Sequence, residues 1–152
     1  MNKAKDYLDS SRLALLDWLK NAQAKHVWEF KCPVYEDEAT FKDVDDPNLF
    51  FKLTSNEQME LFNWCVTVMV KTQAINRNHT SYGIKHLFEK APLGFYVTNG
   101  AFKGAMLLAG FTASGIESNN WNFNVSEKSF KSYGVQSSYI SDRVKYLSLI
   151  HI

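Results

Sequence analysis

Eight residues carry groups suited to holding a nucleic acid. Asn99, Gly100 and Lys103 share one short stretch, TNGAFKGAMLLA. An asparagine amide bonds adenine edges, and a lysine ammonium bonds guanine edges or phosphate. Glycine lets the backbone approach a phosphate, and a helix start favours an anion. Lys85, Arg77 and Asn78 precede this stretch, and Lys128 and Lys131 follow it, as candidate phosphate contacts. They sit in the basic half of the chain. Residues 70–152 hold nine Lys/Arg and four Asp/Glu, whereas residues 1–69 hold eight and twelve. The net charge of +1 therefore hides an acidic half that repels phosphate and a basic half that attracts it.

Other chemistries find no constellation. His79 and His86 stand seven apart with no third ligand, so they read as hydrogen-bonded or solvated histidines. Ser81 has no base at a useful spacing. Cys32 and Cys65 lack metal-ligand spacing and read as reduced packing residues. Glu29, Glu36, Asp37, Glu38, Asp43, Asp45 and Asp46 crowd one segment, but it lacks the glycine turn and terminal glutamate of a calcium loop. It reads as a solvated acidic loop. No catalytic residue, metal or cofactor is expected.

The elements that must position these residues are legible in part. Leu8, Leu15, Leu19 and Ala22 make one stripe of a helix over residues 4–25, with Trp18 at its margin. Residues 26–53 are irregular, with VWEFK at 27–31 and LFFKL at 49–53 as short strands. Thr54 to Glu57 has the spacing of a capping box and opens a helix to about Gln73, its inner face Phe62, Cys65, Val66 and Met69. This reads as the central core helix. Residues 74–79 form a polar connection. Thr80 caps a short helix with Ile84, Leu87 and Phe88 inward, stopped by Pro92 and Gly94. Thr98 caps the next helix, whose buried face is Ala101, Phe102, Ala105, Met106 and Ala109, leaving Asn99, Gly100 and Lys103 outward. Gly110 occupies the left-handed terminator position, and Phe111 folds back. Trp121, Phe123 and Val125 alternate with Asn122 and Asn124, a strand with one dry face. Residues 111–114 are placed to pair with it as a hairpin.

The expected fold is α+β, mostly α, containing a winged helix-turn-helix-like unit with a small β-hairpin. Residues 1–53 pack on the core, 54–126 form the winged-helix-like domain, and 127–146 are a polar basic tail. The last six residues, LSLIHI, match a translated sequencing-library adapter, so genuine sequence is expected to stop near Tyr146.

Three strings, TSYGIKHLFE, GFYVTNGAFKGAMLLAGF and NWNFNVS, resemble short uncharacterised proteins of phages and mobile elements of gut bacteria, over about residues 60–126. The pattern of Phe102, Gly104, Ala105, Gly110, Phe111 and Trp121 also resembles the winged-helix domains at the C-termini of phage and plasmid primases. No primase or helicase domain is expected upstream of this unit. The resemblance implies an accessory or regulatory nucleic-acid-binding protein of a phage or mobile element.

No apolar run approaches the ~20 residues of a membrane span, and Asp6, Asp9 and Asp17 interrupt the N-terminal apolar stretch, so a cytoplasmic location is expected. The alternative function is a protein–protein module that inhibits a host defence or replication complex through its acidic half. The two readings differ in where charge lies after folding. A basic face around Lys103 favours nucleic acid, and an acidic face over residues 35–46 favours a protein partner.

Overall fold

The computed structural model describes residues 3–25 and 28–131, with side chains described from Arg12 onward. The chain is α+β and mostly helical, with one small antiparallel sheet. The expected adapter end and most of the expected tail lie outside the described residues.

Helix α1 (Lys3–Lys25) lays Leu19 and Ala22 on the core, and Trp18 stacks at the margin against Phe62 at 5.1 Å. Helix α2 (Glu38–Thr40) is a single turn capped by Asp37, and it runs into a π-turn over Phe41–Asp45. A 3-10 helix follows over Pro47–Lys52, where a strand was expected at 49–53. The cause is local. Proline fits the first helical position, and the Asp46 carboxylate caps it by accepting from the Asn48 N–H at 2.9 Å. The expected strand at 27–31 is also absent: residues 28–31 are irregular.

Helix α3 (Ser55–Val68) opens with the capping box. Thr54 Oγ1 accepts from the Glu57 N–H, and the Glu57 carboxylate accepts from the Thr54 N–H. Its buried face is Met59, Leu61, Trp64 and Cys65, while Val66 is exposed and Phe62 half-buried. The helix stops five residues earlier than the apolar pattern suggests. Residues beyond it form strand β1 (Lys71–Thr80), not a helix end and a polar connection. Helix α4 (Ser81–Glu89) and helix α5 (Asn99–Leu108) are capped by Thr80 and Thr98 as expected. Helix α5 ends in a Schellman motif. The Gly110 N–H bonds Leu107 O, the Phe111 N–H bonds Met106 O, and Gly110 has φ +91°.

Strands β2 (Ala113–Ser114) and β3 (Asn122–Val125) form the hairpin, and β1 completes a sheet ordered β1-β3-β2. Trp121, Phe123 and Val125 are buried against the helices. The β1–β3 register slips twice, because ten residues of β1 face four of β3. Side-chain amides fill the gaps. Asn76 donates to Val125 O, Asn122 to His79 O, and Asn124 to Thr72 O, each within about 3 Å. Asn124 Oδ1 also accepts from the Thr112 N–H on the other side. The expected tail does not begin at residue 127: Ser126 caps a 3-10 turn (Glu127–Ser129), and Ser129 and Phe130 are buried.

The central element is α5, not α3. Every residue from Asn99 to Met106 is buried. Helices α3 and α4 pack against it, and the π-turn and 3-10 helix of residues 41–52 cover the rest.

Candidate functional site

The expected contact face of α5 is inside the protein. Lys103 is 1% exposed and Asn99 8%. The backbone of residues 45–47 lies on the two glycines: a Cβ on Gly100 would sit 2.3 Å from Asp46 O, and one on Gly104 2.3 Å from Pro47 O. Glycine here admits a protein backbone, not a phosphate.

The anion expected at the start of α5 is supplied by the chain itself. Asn99 Nδ2 donates to Asp45 Oδ1 at 3.1 Å, to Asn119 O at 2.9 Å and to Asn120 Oδ1 at 3.1 Å. Asp45 is itself buried, beside the positive end of the helix. Lys103 Nζ donates to Asn119 O at 3.1 Å and lies 4.5 Å above the Trp121 ring. Burial pulls the Lys103 ammonium down to about 8, against the carboxylates of Asp45, Glu36 and Asp46. Burial raises Glu36 to about 7, helped by its hydrogen bond to Asp45 and by that neighbour's charge. The acidic loop expected to be solvated therefore sends two of its carboxyls inward.

This cover does not lift off. Phe50 is fully buried and Phe41 nearly so. Exposing the two rings costs roughly 3–6 kcal/mol at 1.5–3 kcal/mol each. That is comparable with the roughly 5–15 kcal/mol stability of a whole domain. A helix freed for groove binding would belong to an unfolding protein.

Lys85 is also buried. Its Nζ bonds Glu89 Oε2 at 2.9 Å and lies over the Tyr82 and Tyr96 rings. Burial works to raise the Glu89 carboxyl, but Lys85, the Val97 N–H and His86 outweigh it and hold it below its ordinary value. Four expected contacts, Lys85, Asn99, Gly100 and Lys103, are thus structural.

The other four are exposed. Arg77 and Asn78 lie on β1, and Lys128 and Lys131 follow β3. Glu127 joins the two segments, its Oε1 accepting from Asn76, Asn78 and His79 at 2.9–3.2 Å. The Asn76 and Asn78 amides hold this carboxyl below its ordinary range. His79 stacks on Phe130 at 3.6 Å, and His86 bonds Glu89, so both histidines have structural partners. Among the described residues, no group of three or more His, Cys, Asp or Glu is placed to hold a metal ion.

The alternative face expected over residues 35–46 carries apolar side chains that its acidic composition does not announce. Eleven large apolar side chains are exposed among the described residues, and six of them, Val34, Tyr35, Val44, Tyr82, Tyr96 and Ile116, lie on or beside the turn over residues 115–120. Tyr35 Oη accepts from the Asn119 N–H at 2.8 Å, which fixes its ring. Asn119 and Asn120 in turn line a cavity of about 290 Å³ with Val44, Tyr82 and Tyr96. Asp37, Glu38 and Asp43 stand exposed on the same segment as Tyr35 and Val44. Tyrosines amid carboxylates carry no helix or strand period, so pattern reading passes over them.

The Glu36–Lys103 pair predicts an unusual pH profile. Glu36 is raised, so its stabilising effect is complete below about pH 4.5 and is lost as pH rises through 7. Lys103 is depressed, so its contribution returns as pH climbs from 8 towards 10.5. Thermal melting followed by circular dichroism should show a stability minimum between pH 7 and 8. Glu36→Gln should remove the acid-side slope.

Comparison with protein-family models, curated proteins and solved structures finds no match for this chain.

Proposed function

We propose that this protein is a non-enzymatic binding module that docks a protein partner through the tyrosine-bearing face. The supporting observation is the grouping of Tyr35, Tyr82 and Tyr96 with Val34, Val44 and Ile116, beside exposed Asp37, Glu38 and Asp43. Interface cores are enriched in aromatic residues, and a charged rim sets which partner fits. An acidic rim selects a basic partner, such as the nucleic-acid-binding surface of another protein. The resemblance to phage and mobile-element proteins makes that partner a component of a host defence or replication complex, met in the cytoplasm. Among the described residues, no helix is long and apolar enough to cross a membrane.

The test is a pull-down from gut-bacterial lysate with wild type and with Tyr82→Ser/Tyr96→Ser. Both rings also cover Lys85, so the variant's melting curve is recorded first and the pull-down is read only with the fold intact. Loss of a specific band supports docking by this face. A band kept at full strength by the variant overturns it.

A second reading concerns nucleic acid. The order α3, β1, α4, α5, β2, β3, with β3 between the other strands, supports a winged helix in which α5 holds the recognition position. With α5 covered, contact would fall to Arg77, Asn78, Lys128 and Lys131. Three cations on about three phosphates give a salt slope near −2.7 on duplex DNA. Arg77→Glu/Lys128→Glu should abolish a low-salt gel shift with the fold intact. A wild-type protein that ignores DNA at low salt removes this reading.

A further inference from the structure

The stretch just after α1 is irregular and leaves backbone groups unpaired. Trp28 is held at both its N–H and its C=O by the Asn48 amide, at 3.2 and 2.7 Å. Phe30 packs edge-on against Trp121 at 4.8 Å. The Cys32 thiol bonds Pro33 O and Glu36 O. The segment is anchored at three points, yet the backbone of Glu29–Cys32 makes no hydrogen bond to another described residue. Backbone N–H and C=O groups left this way are templates for another chain.

Beside that backbone runs a groove of about 450 Å³. Phe30, Pro33, Val34 and Ile116 form its apolar floor and wall, and Glu29 and Glu117 stand at it. Both glutamates are exposed, as are Val34 and Ile116. Among the described residues lining it, Lys31 is the one basic side chain, and Asp37 and Glu38 follow a few residues on.

We propose that Glu29–Cys32 captures an extended basic segment of a partner protein by strand addition; this rests on the docking reading above and names the partner's chemistry. A peptide laid there alternates its side chains. One set rests on Phe30, Val34 and Ile116. The other carries lysines or arginines, whose stems lie along apolar surface while their heads reach Glu29 and Glu117. Because the edge is already held in place, little ordering is lost on binding.

The probe is a capped hexapeptide of alternating lysine and valine, titrated into the ¹⁵N-labelled full chain and followed by NMR. Amide shifts should concentrate at Glu29–Cys32, Ile116 and Glu117, with a Kd on the order of 0.1–1 mM. Glu29→Lys/Glu117→Lys should weaken binding about tenfold. Methylating alternate backbone nitrogens of the peptide should remove binding. Groove shifts that survive the charge reversal overturn the basic-segment assignment. Shifts that survive N-methylation overturn strand addition. Shifts confined to Val44, Tyr82 and Tyr96 overturn the groove but leave the docking face standing. No shift at any residue overturns the groove, and the tyrosine pull-down then judges the docking face separately.

Discussion

Lys103→Glu is expected to abolish cooperative folding. A lysine flanked by glycines in a helix reads as a surface contact, and its charge reversal would then cost only DNA affinity. Here the ammonium is sealed beside Asp45, Asp46 and Glu36. A carboxylate at that position faces three others with no cation left among them. Burying a new charge among like charges, with the Nζ–Asn119 O bond also lost, costs several kcal/mol. The loss approaches the whole stability of a domain this size, about 5–15 kcal/mol. Lys103→Met tests the milder case, in which the charge goes and the volume stays. Because burial already disfavours the ammonium, its melting temperature should fall far less than that of Lys103→Glu, and the recovery of stability above pH 8 should vanish. Lys128→Glu, on the exposed sheet end, should melt within error of wild type. A Lys103→Glu protein that melts normally would mean the cover does not sit on α5.

The second large effect has opposite signs at three glycines. Replacing a helical glycine by alanine gains about 1 kcal/mol where space allows. Gly83 on α4 has that space, its nearest neighbour atom 3.8 Å from the added carbon. Gly83→Ala should therefore raise the melting temperature. At Gly104 the same methyl meets Pro47 O at 2.3 Å and Phe50 Cβ at 2.8 Å. At Gly100 it meets the Asp45–Asp46 backbone at 2.3–2.7 Å. Backbone cannot rotate away as a side chain can, so the cover must shift. Overpacking of this kind costs about 1–3 kcal/mol and occasionally more, which outweighs the propensity gain. Gly100→Ala and Gly104→Ala should each lower stability in urea melts, and the pair together should largely unfold the chain.

Helix caps were the most legible part of the sequence, because a cap is a matter of neighbours. Thr54, Thr80 and Thr98, and the Gly110–Phe111 terminator, each act within a few residues. The alternation of Trp121, Phe123 and Val125 was equally local. Strand β1 was hidden because its residues, KTQAINRNHT, lack any apolar alternation. What holds it is distant: asparagine amides on β3, 43 and 52 residues away.

The candidate site was half legible. Charge composition picked out Arg77, Asn78, Lys128 and Lys131, which do lie at the surface. It misplaces Asn99, Gly100 and Lys103, because helical spacing implies one dry and one wet face on α5, and both are dry. A signal against that was present. NGAFKGAMLL has one charge and four glycine or alanine residues, the composition of a helix surrounded by protein. Nothing local says that the cover comes from residues 41–52.

The sheet's reliance on side-chain amides has an evolutionary side. A ladder of backbone bonds fixes the count of residues in each strand, since one extra residue turns every side chain over. Where amides of Asn76, Asn122 and Asn124 reach across the slips, β1 has slack. Single-residue insertions or deletions between Thr72 and Asn78 are therefore absorbed without moving Trp121, Phe123 or Val125 from the core. Relatives of this chain should vary in length there while keeping the three asparagines.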